Sequence, residues 1–394
     1  MRGNAVIGQS GGPTSVINAS LCGVVQAALA APEIGTVFGM KGAIEGLMQD
    51  DLLNFGTIAT ETIEGLRHTP GSALGSCRHK VQESDFPTIL ARLAEHDIRY
   101  FFLIGGDDTM HTIHRVEAKC REVGYELRGV GIPKTVDNDL RGTDHTPGFP
   151  SAARYVAISV QQAGTLARDM KRVDQFVIHQ TVGRSAGWLP AAAALAKRSP
   201  DDAPHIILMP ERVFDAEKFL AEVERCRREY GWCSIVVGEG VCDATGNPVS
   251  ASTVADRFGN TEMGAMAGVS IAMELHKMIC GRFGWRGEFQ VCESLSMCAS
   301  DRTVASDVGE AYACGRHAVE IALAGQSGAM VTIERESNEP YRSRLGTIPL
   351  DEVAGKQKPI PDEFITPDGF GITKAALEYL HPLIGPLPEH ARLY

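Results

Sequence analysis

Apolar and polar positions follow a repeating order along this chain. Short apolar runs, rich in β-branched and aromatic residues, precede longer segments whose apolar positions recur at helical spacing. The clearest pairs are 5–8 with 15–30, and 100–104 with 109–124; further apolar runs lie at 175–180, 205–209 and 233–237. Strands that alternate with helices are typical of parallel sheets covered by helices. We therefore predict an α/β fold, and the alternation continues past residue 170.

Two helical stretches indicate packing rather than chemistry. The segment 215–230 starts with the capping residue Asp215, ends at Gly231 and carries apolar residues at helical spacing. A second stretch is predicted to be helical and to place its methionines in the core. Its methionines are Met263, Met266, Met273 and Met278.

Composition narrows the function classes. The chain has 394 residues, enough for two domains, and its formal charge of -11 argues against a nucleic-acid or anionic-membrane partner. Ten cysteines without Cys-x-x-Cys pairs fit reduced thiols, and no zinc site is assigned. No apolar run reaches membrane-spanning length and no secretory signal is recognised at the N-terminus, so a cytoplasmic location is expected.

Candidate chemistry lies in two loops that each follow an apolar run. Gly105-Gly106-Asp107-Asp108-Thr109 follows 100–104, and Pro133-Lys134-Thr135-Val136-Asp137-Asn138-Asp139 follows 130–132. Open α/β sheets bind ligands at such strand ends. An acidic turn with a solvated tip would explain the first loop alone. The second loop sets one lysine beside two aspartates, a combination suited to phosphate, metal and proton transfer together.

These loops and four further motifs resemble the phosphofructokinase family, in particular its pyrophosphate-dependent branch. The additional motifs are Gly8-Gln9-Ser10-Gly11-Gly12-Pro13, Leu74-Gly75-Ser76-Cys77-Arg78, Val182-Gly183-Arg184-Ser185-Ala186-Gly187-Trp188 and Gly238-Glu239-Gly240. The resemblance implies two three-layer α/β domains with mainly parallel sheets that face an active-site cleft. We expect a phosphoryl-donor domain at 1–145 and an acceptor domain at 146–394, with a late return of the C-terminal segment to the first domain. A homo-oligomer, dimer or tetramer, is also expected.

On the donor side, the resemblance assigns phosphate binding to Gly11, Gly12 and Arg78, although a tight structural turn would also explain the two glycines. Asp107 falls at the family position that organises Mg²⁺, a cation that prefers oxygen ligands. Asp108 and Lys134 stand where ATP-using members carry glycine. A carboxylate at 108 would repel the α-phosphate of a nucleotide, and Lys134 can neutralise a phosphate oxygen during transfer. Both substitutions favour pyrophosphate as donor.

On the acceptor side, the resemblance makes Asp137 the base that takes the hydroxyl proton, with Lys134 and Arg184 as the other catalytic residues. Acceptor binding is assigned to the loop 133–139, called the base loop because it carries Asp137, and to two later motifs. These residues are Thr135, Asp137, Asp139, Val182, Gly183, Arg184 and Glu239. Asp139 and Arg184 could instead be surface charges.

The chain departs from the family where phosphofructokinases bind the phosphate already on the sugar. In the preferred register the motif arginine becomes Met297, and in an alternative register it becomes Val291. Gln175 and Glu288 stand at other basic positions. Three hypotheses follow. The first is a pyrophosphate-dependent phosphofructokinase that acts on fructose 6-phosphate or a related ketose phosphate. The second keeps the same donor chemistry but phosphorylates an unphosphorylated sugar, cyclitol or nucleoside-like polyol, and the third is a noncatalytic regulatory member of the family.

Overall fold

A computed structural model of the chain describes residues 1–250 and 263–391. These form two compact units. Unit 1 contains Met1–Phe149 and Met297–Lys358, and unit 2 contains the described residues of Pro150–Ser296 and Pro359–Tyr394. The first change of unit lies close to the predicted division at residue 145. The chain then returns to unit 1 for one segment before it ends in unit 2.

Unit 1 is built on a mixed sheet that is mainly parallel. Within the described residues the strand order is β11-β10-β5-β4-β1-β2-β3. The strands are β1 (Gly3–Gln9), β2 (Ile34–Met40), β3 (Leu52–Asn54), β4 (Ile98–Gly105), β5 (Arg128–Pro133), β10 (Ala329–Asn338) and β11 (Tyr341–Pro349). Neighbours from β2 to β10 pair in parallel, whereas β3 and β11 close the two edges in antiparallel pairs.

Helices cover both faces of this sheet because successive strand residues point to opposite sides. Tyr100 and Phe102 of β4 pack in one core with α1 (Ile17–Ala30), α3 (Thr60–Leu66) and α10 (Ala305–Leu323). Phe101 and Leu103 pack on the other side with α2 (Ile44–Gln49), α4 (Phe86–Glu95) and α5 (Asp107–Glu122). Unit 1 is therefore a three-layer α/β domain, as predicted.

Unit 2 contains a smaller, fully parallel sheet with the order β7-β8-β6-β9 among its described strands. Its strands are β6 (Phe176–Thr181), β7 (Ile206–Leu208), β8 (Cys233–Gly238) and β9 (Gly287–Val291). One face packs against α8 (Ala216–Tyr230) and α9 (Ile271–Phe283). The short α7 (Trp188–Ala192) contacts three of the strands, and α6 (Phe149–Asp169) and α11 (Lys374–Ile384) complete the unit. The predicted parallel α/β character is confirmed here too.

The two helical predictions fare differently. Asp215 caps α8 by accepting hydrogen bonds from the backbone N–H groups of Glu217 and Lys218, and Gly231 ends the helix with φ of 83°. The methionine stretch is only partly helical. Met273 and Met278 lie in α9, whereas Met266 lies in a single 3₁₀ turn and is 66% exposed. Gly264 begins that turn and Gly268 follows it, both with positive φ, and this explains why the helix does not extend back through it.

Among the helices of residues 1–250 and 263–391, none is both long enough and apolar enough to span a lipid bilayer.

Candidate active site

The predicted donor residues gather at one edge of the sheet in unit 1. β1, β4 and β5 are adjacent and parallel, so the loops that follow them leave from the same edge. Backbone hydrogen bonds tie the loops together: Ser10 N–H donates to the Ile104 carbonyl at 2.9 Å, and Lys134 N–H donates to the Gly105 carbonyl at 3.1 Å. Three motifs that are far apart in sequence therefore form one site.

The loop after β1 uses its glycines for conformation and close approach. Gly11 has φ of 76°, a left-handed conformation that side chains disfavour. The Ser76 hydroxyl donates to the Gly11 carbonyl at 2.5 Å. The terminal methyl group of Met297 lies so near Gly12 that a Cβ there would collide with it. Met297, which the preferred register places at the motif arginine, thus packs on the loop after β1.

Asp107 and Asp108 lie in the first turn of α5, where the helix dipole favours negative charge. Asp107 Oδ1 accepts a hydrogen bond from Gly355 N–H at 2.6 Å. Burial raises the pKa of Asp107, and the charge of Asp108 adds to the rise against that hydrogen bond. Asp108 is exposed, and Lys80 Nζ lies 3.6 Å from its Oδ1.

The carboxylate oxygens of Asp107 are ligands that suit magnesium. A cation beside Asp107 would relieve the unfavourable burial and the repulsion from Asp108. The described residues contain no group of three or more His, Cys, Asp or Glu side chains arranged for a metal. Magnesium often binds through one or two carboxylates plus substrate phosphates and water, so a single partly buried aspartate fits it better than it fits zinc.

Lys134 is the buried cation of this site. Its side chain is 3% exposed, and Nζ donates to the Gly12 carbonyl at 2.8 Å. Burial lowers the pKa of Lys134 to about 8, although Asp137 and Asp139 act in the opposite direction. Arg78, which is exposed, also acts on the Lys134 charge and therefore lies near it. The predicted phosphate-binding residues Gly11, Gly12, Arg78 and Lys134 are brought together.

The base loop is held from within. The Thr135 hydroxyl accepts a hydrogen bond from Asp137 N–H at 3.1 Å, so the predicted acceptor-binding residue also shapes the loop. Asn138 has φ of 54°, and its Oδ1 accepts from Thr146 N–H at 3.1 Å. Burial, and then the charge of Asp137, raises the pKa of Asp139 to about 7. The charge of Asp137 therefore acts directly on Asp139, two residues further along the chain.

Sequence reasoning missed one segment of this site. Gly355 contacts Asp107, and Lys358 contacts the base loop, although both follow β11 and are more than 200 residues away along the chain. Nothing in the sequence 354–358 marks it, because a short polar segment with two lysines is typical of a solvent-exposed turn.

The predicted acceptor residues of unit 2 form a second cluster at the carboxyl ends of β6 and β8. Val182, Gly183 and Arg184 follow β6, and Glu239 follows β8. Glu239 Oε1 accepts from Gly183 N–H at 3.3 Å and from Arg184 N–H at 3.2 Å. Arg184 is exposed and has φ of 40°, and its carbonyl leaves no room for a Cβ at residue 240. Glu239 therefore fixes the conformation of the arginine loop.

A second carboxylate, which sequence reasoning did not assign, lies beside Glu239. Glu293 follows β9 and accepts hydrogen bonds from the Gln180 side chain and from Ala265 N–H. The side chains of Glu239 and Glu293 are 7% and 6% exposed. Burial raises the pKa of Glu239, and repulsion from Glu293 raises it further. A Cβ on Gly264 would lie 2.8 Å from Glu239 Oε2 and closer still to Glu293, so both carboxylates converge on this glycine.

The two residues predicted to replace other basic residues of the family, Gln175 and Glu288, lie at the other end of the same sheet. Gln175 precedes β6 and bonds Val173 and Arg286, and Glu288 lies near the start of β9. The six residues of β6, which separate Gln175 from the Gly183–Arg184 loop, span about 20 Å. Neither side chain can reach a small ligand held by the Gly183–Arg184 loop of the same unit.

Comparisons with known proteins identify the family of this chain. The sequence profile described as "Phosphofructokinase" matches residues 4–313. A pyrophosphate--fructose 6-phosphate 1-phosphotransferase from Methylococcus capsulatus is 41% identical to this chain, and the match covers 99% of this chain and 96% of the relative. A second relative of the same name, from Halomonas elongata, is 39% identical, and the match covers 97% of this chain and 91% of that relative. A crystal structure titled pyrophosphate-dependent phosphofructokinase from Marinobacter aquaeolei covers 98% of this chain and 92% of that chain, with a TM-score of 0.87 and 39% identity. The chain belongs to the phosphofructokinase family.

Proposed function

We propose that the protein is a Mg²⁺-dependent phosphotransferase that moves a phosphoryl group from pyrophosphate to fructose 6-phosphate. The observation that carries the donor assignment is the buried Lys134 ammonium beside the Gly12 carbonyl, together with the Asp108 carboxylate one residue after Asp107. Lys134 offers a positive charge to a phosphate oxygen, and Asp108 opposes the additional phosphate of a nucleotide. The names of the relatives support the same donor and acceptor.

Within this function, each loop of unit 1 has a task. Gly11 and Gly12 allow the backbone to approach the donor, and Arg78 adds a second positive charge. Asp107 would hold Mg²⁺, which supplies charge neutralisation for the phosphate oxygens. Lys134 stabilises the negative charge that develops as the phosphoryl group leaves.

The acceptor hydroxyl needs a base, and Asp137 takes its proton. Burial, and then the charge of Asp137, raises the pKa of Asp139 to about 7, so Asp139 exchanges a proton with solvent near neutral pH. In unit 2 we assign acceptor binding to the Val182–Arg184 loop and to Glu239, whose carboxylate already orients that loop.

Fructose 6-phosphate is favoured over the alternative acceptors by the relatives, which share nearly the whole chain. The retention of Asp107, Lys134 and Asp137 opposes a noncatalytic role. Met297 in place of the motif arginine means that other cations bind the sugar phosphate. A homo-oligomer, in which a second subunit could supply them, belongs to the same proposal.

Phosphorus NMR tests the proposal directly. The purified protein is mixed with Mg²⁺, either pyrophosphate or ATP, and one acceptor from a panel of fructose 6-phosphate, another ketose phosphate, fructose and a cyclitol. We expect fructose bisphosphate and orthophosphate from the pyrophosphate and fructose 6-phosphate mixture, and turnover at least about 100-fold slower by the Asp137→Asn variant.

Each other outcome corrects a different part of the proposal. Product from ATP but not from pyrophosphate would overturn the donor assignment. Product from fructose but not from fructose 6-phosphate would overturn the acceptor. No product in any mixture would overturn the function.

A further inference from the structure

The segment from Gly355 to Lys358 joins the two loops that carry Asp107 and Asp137. Gly355 N–H donates to Asp107 Oδ1 at 2.6 Å. Gln357 forms an isolated antiparallel bridge with Leu140, and Lys358 N–H donates to the Asp139 carbonyl at 2.8 Å. One short segment thus contacts the metal position and the base loop together.

The Lys358 ammonium makes the most contacts of this segment. Nζ donates to the carbonyls of Thr143 at 3.0 Å and Asp144 at 2.8 Å, and it lies 3.4 Å from Asn138 Oδ1. All three acceptors belong to the stretch that starts at Asp137. With its backbone bond to Asp139, Lys358 therefore contacts the two residues that directly follow the proposed base.

Charge makes this arrangement more than packing. The charged groups that act on Lys358 are Asp144 and Asp139, which attract it, and Arg335, which repels it. Burial is the largest influence and lowers the pKa of Lys358 to about 8, so the protein keeps this ammonium at a cost. An apolar side chain could fill the same space without that cost, but it could not donate to three oxygens.

We propose that Lys358 is a positioning residue for the phosphoryl-transfer reaction, holding Asn138 and Asp139 so that the Asp137 carboxylate stays aligned as the base. This inference rests on the proposed function. Asn138 sits in the left-handed region at φ 54°, a conformation that needs support from its surroundings. The bonds from Lys358 Nζ and from Thr146 N–H to Asn138 Oδ1 provide it.

The test compares three variants of the full-length protein. Lys358→Met removes the charge and the three hydrogen bonds, and Lys358→Arg restores a charged donor. Lys356→Met is the matched control, because Lys356 is exposed in the same segment and its side chain donates to the Asp351 carbonyl, at 3.0 Å, rather than to the stretch that follows Asp137. Steady-state kinetics give kcat and the two KM values from pH 5.5 to 9, and calorimetry gives Tm.

We expect Lys358→Met to lower kcat by about 10- to 100-fold, the scale of a misaligned catalytic group, with smaller changes in both KM values. The acidic limb of its kcat profile should move to higher pH, because Asp139 loses a neighbouring positive charge. Lys358→Arg should recover part of kcat and return the acidic limb toward the wild-type position. Lys356→Met should match the wild type throughout.

A Lys358→Met variant with the kcat and acidic limb of Lys356→Met would overturn the inference. So would a loss of activity that only follows a lower folded fraction, with an unchanged acidic limb. If the wild type itself transfers no phosphoryl group to any acceptor, the proposed function fails first and this inference falls with it.

Discussion

Replacing Lys134 with methionine should remove the free-energy cost of burying a charged lysine and should lower the phosphoryl-transfer activity. Because that cost depends on pH, the stability difference between the two proteins should depend on pH as well. Lys134 is buried, and its pKa falls from an ordinary value of 10.5 to about 8. At about 1.4 kcal/mol for each pKa unit, that difference corresponds to about 3 kcal/mol paid by the folded state when the lysine is charged. Methionine has a similar length and no charge to bury.

The sign of the pH dependence follows from linkage. Below pH 8 the folded and unfolded states both carry a protonated Lys134, and the full cost is present. Between pH 8 and 10.5 the folded state releases its proton first, so the unfolding free energy of the wild type should rise by about 3 kcal/mol relative to the variant. In the wild type Asp139 ionises below this range, at a pKa of about 7, and Lys358 is common to both proteins, so both residues contribute less than Lys134 to the difference.

The assay pairs urea unfolding at pH 7.5, 9 and 10.5 with phosphoryl-transfer kinetics at pH 7.5. A hydrogen bond to a charged group contributes about 1.5 to 3 kcal/mol, so kcat/KM for the donor should fall at least about tenfold. The reasoning is refuted if the difference in unfolding free energy between the two proteins is the same at all three pH values. Retention of activity within threefold would separately refute the donor role.

Further predictions concern the two acidic loops. Asp137→Asn should lower kcat by about 10² to 10⁴ with an unchanged Tm, and steady-state kinetics with calorimetry would show otherwise if the residue is not the base. Asp108→Gly should raise the kcat/KM for ATP relative to that for pyrophosphate, and an unchanged ratio would contradict its role in donor choice. The kcat/KM of the wild type should rise through an apparent pKa near 7, where Asp139 ionises, and fall above about 8, where Lys134 loses its proton. Asp139→Asn should remove the acidic limb, and a limb that persists would assign it to another group.

The gathering of the predicted donor residues could be foreseen because each of their loops is short and directly follows a strand. Once β1, β4 and β5 are placed side by side, Gly12, Asp107 and Lys134 must share an edge. The sheets and the capped helix α8 were predictable for the same local reasons. Local patterns failed at Met266, where two left-handed glycines end the helical path that apolar spacing alone had favoured.

Lys358 could not be found in this way because its position depends on the return of the chain to unit 1. That return starts at Met297, passes through α10 and the β10–β11 pair, and only then reaches the base loop. No local spacing rule relates residue 358 to residue 138. The contact becomes visible only when β10 is seen to extend the first sheet beside β5.

Within the proposed function, the predicted acceptor residues and Met297 indicate which groups of the acceptor each part of the site can bind. Met297, the residue that the preferred register sets at the motif arginine, packs against Gly12 on the loop after β1. At the carboxyl edge of the second sheet, Glu239 and Glu293 are buried together and each has a raised pKa. Such a pair favours ligand groups that donate hydrogen bonds and disfavours a phosphate dianion. Hydroxyl groups of the acceptor therefore suit this edge, and the cations that hold its phosphate have to come from elsewhere.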